Sequence, residues 1–393
     1  MKSGIILLML LFCFGCTDLL RVEPENSLTF GNITEEKDIE ALTYGVGAGV
    51  REMVCWNALL QVEKGAYADE VDESRRGARM LELEAGTADL WEPWYQVIMG
   101  AQNVLDYVDV VDMSGERRDF YKGQAYFFKA LAYFDLVRRW GDCILQKGGI
   151  SWEPVAKTPW PLVCDFAIEM AEQAAGLLPP HDKLTDCNGN AIFSKSTPCQ
   201  GAAYALLAHL CAWKAGGKYF AAAADRNYDE KKLWEKAEQA CTKVIDSPLY
   251  GLVNTPEEVC ASVLVGNSKE GVYETVMKDY YNEVGKRVFS LGTNYVGYPV
   301  RPEYTPGIVQ DFTFRIFTAS VRKMFPGADT RKYAWFYDLD GMDTLDKGIT
   351  GGFAYPYKER SVNVTVTGSK KKFASFNANR VWWRLADIYL LRA

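Results

Sequence analysis

The chain has 393 residues, of which 48% are hydrophobic and 24% charged, and its formal net charge is −7. This composition is that of a globular protein, and it excludes both an intrinsically disordered chain and a protein with many membrane spans. No basic stripe stands out against the acidic balance, which argues against a nucleic-acid partner. Aromatic residues reach 13%, and they can either fill a core or line a binding surface.

The N-terminus has the features of a secretory signal. The stretch MKSGIILLMLLFCFGC carries one early positive charge, Lys2, and then an apolar run too short for an ordinary transmembrane helix. Cys16 follows the small residue Gly15 and resembles a bacterial lipoprotein cleavage site, although Cys13 stands where leucine is usual. We therefore predict a signal peptide over residues 1–15 and lipidation of Cys16, with simple secretion or retention as an anchor as the alternatives.

Five segments carry apolar residues at intervals of three and four, the spacing that places them on one face of a helix. Proline near the start and glycine or proline at the end punctuate most of these segments. We therefore predict helices within the ranges 87–108, 116–142, 161–180, 196–217 and 229–248.

The predicted boundaries depend on particular residues. Thr87 or Asp89 is expected to cap the first of these helices, and Thr197 the fourth, because their side-chain oxygens can accept from free backbone N–H groups. Gly141 is expected to close the second helix. Pro248 prevents the last one from continuing.

The helices follow one another in pairs, with small residues such as Ala101 and Ala130 opposed to large ones such as Trp94 and Phe134. Such spacing lets two helices approach closely and stack on the next pair, as in tetratricopeptide-type arrays. Beyond about residue 250 the pattern becomes alternating, as in strands.

Two alternating segments are GVYETVMKDYY (271–281) and SVNVTVTGSKKKF (361–373), the second with a turn near Gly368. Between them lies a span rich in Gly, Pro and Tyr, and long irregular spans within a compact domain are usually functional. The last stretch, VWWRLADIYLLRA (381–393), has the pattern of one helix face. The fold expected is mainly α, a tetratricopeptide-like scaffold of helix pairs with a loop-rich, partly β ligand-binding segment.

Four stretches, in this order, resemble the SusD/RagB family of nutrient-binding lipoproteins from the Bacteroidetes. They are the lipoprotein-like start CTDLLRVEPENSLT, then WEPWYQVIMGAQNVLDYV, then the aromatic helix GQAYFFKALAYFDLVRRWGD, and finally WWRLADIYLLRA. The last is similar to the family motif R-L-A-E-x-Y-L-L-R-A-E-A, with Asp387 in place of glutamate. In that family more helix follows this motif, so the resemblance implies that the chain is truncated and less stable than its complete form.

Catalytic and cofactor motifs are poorly represented in the sequence. His181 and His209 are the only histidines, and neither lies in a setting that suggests a catalytic triad or a zinc site. Nucleotide-binding glycine motifs are missing. The glycine alternation at residues 45–49 (GVGAG) is more typical of close helix packing. The acidic run YADEVDESRR (67–76) could in principle hydrolyse glycosides or bind calcium, but solvation is its usual role.

The cysteines after Cys16 form no C-x-x-C pair, so metal sites of the usual spacing are not expected. Cys211 and Cys241 fall on apolar helix faces and are expected to be buried, inert thiols. Cys187 and Cys199 flank a polar loop and could form a disulfide in an oxidising compartment. No metal and no cofactor is predicted.

Aromatic side chains of the loop-rich span are the better candidates for a binding site. A sugar ring offers a face of C–H groups that stacks on indole or phenol rings, while its hydroxyls need planar polar partners. The family resemblance implies a shallow site built from such loop aromatics. The candidate ligand-binding residues are Tyr280, Tyr281, Asn282, Tyr295, Tyr298, Trp335 and Tyr337.

The resemblance implies a cell-surface glycan-binding lipoprotein of the outer membrane, which delivers oligosaccharides, or less often peptides, to a SusC-like TonB-dependent transporter and catalyses no reaction. Its parts would be the signal peptide 1–15, a helical region 16–250 and a C-terminal region 251–393. Two alternatives stay open. One is a secreted helical glycoside hydrolase, and the other is a tetratricopeptide lipoprotein that assembles proteins.

Overall fold

The computed structural model describes residues 31–65, 91–149, 153–277, 316–344, 352–358, 360–368 and 370–393. The predicted signal peptide and Cys16 lie outside these residues, as does the acidic run at 67–76. Of the described residues, most belong to helices, and the mainly α fold is confirmed.

The N-terminal part is a succession of long helices. They are α1 (Glu36–Gly65), α2 (Glu92–Tyr107), α3 (Gly115–Trp140), α4 (Trp160–Leu177), α5 (Gln200–Gly216) and α6 (Glu230–Ile245). The five predicted helices correspond to α2 through α6. A short helical turn, Pro256–Glu258, then runs into a π-helical turn, Val259–Val263.

Local chemistry explains most of the helix ends. The Ser114 side chain accepts from the backbone N–H of Arg117 and caps α3, and Gly141, with φ of 71°, closes it as predicted. The cap predicted at Thr197 is wrong. Instead Cys199 occupies the N-cap position of α5 without a side-chain hydrogen bond, and the free N–H of Gln200 donates to the Pro179 carbonyl at 2.9 Å. The predicted caps Thr87 and Asp89 lie outside the described residues.

Each long helix packs against the next one in the chain, and the main core lies between them. Close approach of α1 and α2 uses small residues reciprocally. A Cβ on Gly49 would lie 3.3 Å from a methyl of Val97, and a Cβ on Gly100 would lie 3.2 Å from a methyl of Val46. The packing role predicted for the glycine alternation therefore holds at Gly49.

The C-terminal part combines short strands and short helices. In chain order they are β1 (Gly271–Thr275), β2 (Ile316–Phe317), α7 (Thr318–Met324), α8 (Arg331–Trp335), α9 (Leu339–Thr344), β3 (Phe353–Ala354), β4 (Val362–Thr367), β5 (Lys370–Phe376), β6 (Arg380–Arg384) and α10 (Leu385–Arg392). The strands form antiparallel pairs, β1 with β6, β2 with β3, and β4 with β5.

Two of the strand predictions are confirmed. The hairpin of β4 and β5 turns at Gly368, whose φ of 62° suits glycine. Strand β1 forms where alternation predicts it, but all five of its residues are buried, because the helical part and β6 cover it.

The helix predicted over 381–393 is correct only in its second half. Residues up to Arg384 form β6, because β1 offers an edge for antiparallel pairing and the Trp382 indole N–H donates to the Thr275 hydroxyl at 2.8 Å. Only Leu385–Arg392 is helical, as α10, and it packs on α6 with Leu385 and Ile388 buried.

Seven described cysteines carry free thiols, and the possible disulfide between Cys187 and Cys199 is not formed. The Cys199 thiol instead lies 3.5 Å from the Tyr250 hydroxyl. Cys211 and Cys241 are buried as predicted, and burial raises the pKa of their thiols to about 12 and about 11. Among the described residues, no helix combines the length and hydrophobicity that a bilayer crossing requires.

Candidate ligand-binding groove

A groove of about 650 Å³ opens between the end of α3, helices α5 and α6, strand β6 and helix α10. Four indoles define it, and we call it the tryptophan groove. They are Trp213, Trp234, Trp382 and Trp383. A volume of this size lies within the range of pockets that hold small molecules.

The indoles differ in how firmly they are held. Trp213 on α5 and Trp234 on α6 remain 40% and 46% exposed, which leaves ring surface available to a ligand. Trp383 is buried and stacks on the His209 ring, with centroids 5.5 Å apart and planes at 22°. Trp382 tilts against Trp383 at 6.1 Å. The groove thus combines exposed indole faces, those of Trp213 and Trp234, with the packed indoles of Trp382 and Trp383.

Buried charge stabilises the α3 side of the groove. The Asp135 carboxylate accepts from the Trp94 indole N–H at 2.9 Å and from the Arg139 guanidinium at 3.0 Å. Asp135 and Arg139 are both largely shielded from water, so this ion pair is fixed in place by its surroundings.

Polar groups also line the opposite side. The His209 Nε2 lies 2.9 Å from an Asp387 carboxylate oxygen, and this contact connects α5 to α10. The residue that replaces glutamate in the family motif, Asp387, is therefore a groove residue with a defined partner.

Arg138 supplies a cation at the groove surface. Its guanidinium carbon lies 5.0 Å from the Phe134 ring centroid and 5.5 Å from that of Trp213. Burial, with smaller contributions from the neighbouring Arg139 and Arg380, lowers the pKa of Arg138. The guanidinium nevertheless stays charged at neutral pH, since arginine is protonated far above that value.

The groove is suited to binding. Flat aromatic faces beside charged groups in fixed positions resemble the mixed lining of ligand pockets. Within the described part of the chain, no three His, Cys, Asp or Glu side chains converge as a metal site would require.

Neither of the two candidate residues that the structure describes, Trp335 and Tyr337, lines the tryptophan groove. Tyr280, Tyr281, Asn282, Tyr295 and Tyr298 fall outside the described residues, so their placement stays a prediction.

The structure describes two of the candidates, Trp335 and Tyr337. Trp335 ends α8, is partly buried, and meets the Phe325 ring edge-on at 5.4 Å. The Lys358 ammonium lies 4.1 Å from its ring centroid. Tyr337 packs edge-on against Tyr357 at 5.5 Å. Trp335 and Tyr337 therefore lie in separate small apolar clusters of the loop-rich segment.

Sequence reasoning missed the tryptophan groove because each indole fits a regular pattern. Trp234 falls in line with the buried residues Ala237, Cys241 and Val244 of α6, yet it is half exposed. The pattern of residues 381–393 predicts a helix that includes Trp382 and Trp383. Whether a tryptophan of a helix or strand is exposed depends on how the elements pack against one another in the fold.

The fold and the groove together define a class of protein, a mainly helical scaffold with a surface groove lined by indoles. Residues 61–211 match the model of the SusD-like family, which is described as starch-binding and associating with the outer membrane. These residues are less than half of the chain, and over them the resemblance to the SusD/RagB family predicted from the four sequence stretches is confirmed.

Solved structures share the fold over most of the chain. A SusD homologue from Bacteroides thetaiotaomicron is 18% identical, with 91% of this chain and 76% of that chain covered and a TM-score of 0.63. A laminarin-binding SusD-like protein is 18% identical, with 91% and 80% covered and a TM-score of 0.62. A structure solved with a xylogluco-oligosaccharide is 18% identical, with 90% and 70% covered and a TM-score of 0.64. No curated protein sequence matches the chain.

Proposed function

We propose that the chain is a glycan-binding lipoprotein of the outer membrane, which captures oligosaccharides, delivers them to a SusC-like TonB-dependent transporter and catalyses no reaction. The family description supports starch-type ligands and association with the outer membrane. Proteins of the same fold include one named for laminarin binding and one solved with a xylogluco-oligosaccharide. The observation that carries the proposal for this chain is the tryptophan groove.

The groove fits the chemistry of sugars. The half-exposed rings of Trp213 and Trp234 can stack on the C–H face of a pyranose, an apolar contact with a preferred geometry. Sugar hydroxyls both donate and accept, so they can pair with a guanidinium such as Arg138 and with a carboxylate such as Asp387. An open groove also lets a chain of several sugar units pass through.

The loop aromatics make a second proposed surface. Of these residues, Trp335 and Tyr337 can be judged in the structure, and both have aromatic neighbours of their own. The remaining candidates, Tyr280, Tyr281, Asn282, Tyr295 and Tyr298, keep the role that the family resemblance implies. The two surfaces make different predictions for substitution.

Affinity gel electrophoresis of the full chain against starch, laminarin, xyloglucan and other polysaccharides tests glycan binding. We expect retardation by at least one of them. Trp213→Ala and Trp234→Ala should each weaken binding about tenfold, equivalent to about 1.4 kcal/mol. Trp335→Ala is the comparison variant for the second proposed surface, since it removes an indole of the loop-rich segment with aromatic and cationic neighbours of its own.

Each outcome separates the alternatives. Loss of retardation in Trp335→Ala but not in the groove variants would assign binding to the loop aromatics. Retardation by none of the polysaccharides would reject glycan binding and favour a protein-assembly role. Release of reducing sugar during the assay would instead favour a glycoside hydrolase.

Anchoring and delivery are tested separately. Palmitate labelling that is lost in Cys16→Ala would support the lipid anchor on the mature chain, with its helical region 16–250 and C-terminal region 251–393. Co-purification with a co-expressed SusC-like transporter, measured in detergent with and without a bound oligosaccharide, tests delivery. A protein that is neither labelled nor associated would contradict this part of the proposal.

A further inference from the structure

A second cavity, of about 260 Å³, lies between α1, α3, the segment 196–198 and β1. It shares no lining residue with the tryptophan groove. Strand β1 separates the two, since Thr275 lines this cavity while its hydroxyl accepts from the Trp382 indole of the groove. We call it the Gln124 pocket, after the residue that makes it unusual.

Gln124 lies on α3 among buried apolar and aromatic residues, and it is only 5% exposed. Its amide offers two N–H donors and a carbonyl acceptor. Among the residues that the structure describes, none forms a hydrogen bond with this amide, although Gln124 lines both the pocket and a smaller recess beside it. The amide atoms do not belong to the fully buried side-chain atoms that lack a partner, so they are reached from the pocket and can pair with a ligand there.

Hydroxyl-bearing and aromatic side chains form the walls around Gln124. Tyr44, Thr43 and Thr197 line both the pocket and the recess beside Gln124. The Tyr44 ring is 58% exposed and can cover one face of a ligand. The Thr43 hydroxyl already donates to the Ile39 carbonyl at 2.8 Å and keeps its lone pairs for a further donor.

The charged residues of the pocket already have partners. The Glu274 carboxylate is buried and accepts from the Asn267 backbone N–H at 2.9 Å and from the Asn379 side-chain amide at 2.9 Å. Arg51 has an interaction of its own. The groups offered to a ligand are thus an amide, hydroxyls and an aromatic face, which favours a neutral molecule with several hydroxyls over an ion.

We propose that the Gln124 pocket binds a single neutral sugar ring, with the Gln124 amide on its hydroxyls and the Tyr44 ring against its C–H face. The volume is just below the usual range for drug-sized pockets, which suits one ring and not a chain. The site goes beyond the proposed glycan binding in the tryptophan groove, and the choice of a sugar among neutral polyols rests on that proposed function.

Thermal unfolding and isothermal titration calorimetry of the full chain test the site with D-glucose, D-galactose, D-mannose, D-xylose and L-arabinose. We expect at least one of these sugars to raise the melting temperature of the wild type by about 2 °C or more at saturation. Gln124→Leu should weaken its affinity at least tenfold. Without sugar, that variant should melt no lower than the wild type, because it removes an amide that has no partner.

Tyr44→Ala provides a second variant at an exposed position, should Gln124→Leu fail to fold, and it too should lose the response to sugar. Trp213→Ala should keep the response to the monosaccharide while its polysaccharide binding weakens about tenfold, so failure of the groove and failure of the pocket are distinguishable. The proposal is overturned if no sugar of the panel raises the melting temperature, or if the response persists in Gln124→Leu or, where that variant does not fold, in Tyr44→Ala.

Discussion

The tryptophan groove and the loop segment, residues 316–344 and 352–358, both collect aromatic side chains but surround them differently. Behind the groove lies the large core of the helical part, which buries residues such as Trp94 and Phe127 and leaves Trp213 and Trp234 half exposed. The loop segment has two small clusters, and Trp335 helps to cover one of them. An aromatic residue becomes available to a ligand where other residues already complete the core.

The largest effect is expected from core truncation. Phe127 meets the Tyr273 ring edge-on at 4.7 Å in the main core, whereas Phe336 lies in the small cluster of the loop segment. Phe127→Ala should lower the free energy of unfolding by about 4 kcal/mol, and Phe336→Ala by about 2 kcal/mol, because a small cluster collapses more easily around a cavity. Urea denaturation measures both.

Equal losses of unfolding free energy in the two variants, within one shared transition, would show that the helical part and the loop segment unfold as a single cooperative unit. They would also show that the two regions bury their aromatic residues equally well. A separate early transition in Phe336→Ala would instead sharpen the contrast between the two regions.

A somewhat smaller effect is expected at the buried ion pair beside the groove. Asp135→Ala leaves the shielded Arg139 guanidinium and the Trp94 indole N–H without their carboxylate. We expect a loss of about 3 kcal/mol in the free energy of unfolding. Glu172→Ala is the control, since its ion pair with Lys236 is solvent-exposed and should contribute less than about 1 kcal/mol. Similar losses in the two variants would contradict the structural role of Asp135.

The smallest of the three effects depends on pH. Lys129 is buried on α3 and donates to the Gln102 side-chain carbonyl at 2.6 Å. Burial lowers its pKa from 10.5 to about 8. Between pH 8 and pH 10.5 the Lys129 ammonium keeps its proton in the unfolded chain but has released it in the folded protein. The contribution of Lys129 to the free energy of unfolding therefore rises with pH over this range.

The Lys129→Met variant lacks this titration. Its stability relative to the wild type should therefore fall by about 2 kcal/mol between pH 7 and pH 10. Urea denaturation at both pH values measures the difference, with Lys231→Met as the control for removing an exposed lysine. A difference that does not change with pH would contradict the lowered pKa.

Local signals were sufficient to predict five of the six long helices that the structure describes, and only α1 was not predicted. Apolar spacing together with residues such as Pro93 and Gly141 placed α2 to α6 correctly, because a helix depends mainly on its own sequence and on one apolar face. The start of α5 was missed. There, the Pro179 carbonyl accepts the free N–H of Gln200, and that partner lies at the end of the preceding helix.

Long-range contacts explain the larger errors. Residues 381–384 carry a helical pattern but form β6, because pairing with β1 satisfies their backbone groups. The same holds for the groove, since Trp213 and Trp382 meet only after α5 and β6 have packed. The sequence does not predict the Gln124 pocket either, because there Gln124 is one polar residue within an aromatic helix.

The buried thiols have a consequence for handling the protein. Disulfide exchange requires the thiolate, and burial raises the pKa of Cys143 and Cys211 to about 12. At neutral pH both thiols are therefore almost entirely protonated. Half-buried Cys187, close to Glu40, also has its pKa raised, to about 11. These cysteines should thus stay reduced and unscrambled in an oxidising environment, and alkylating reagents at neutral pH should modify them slowly.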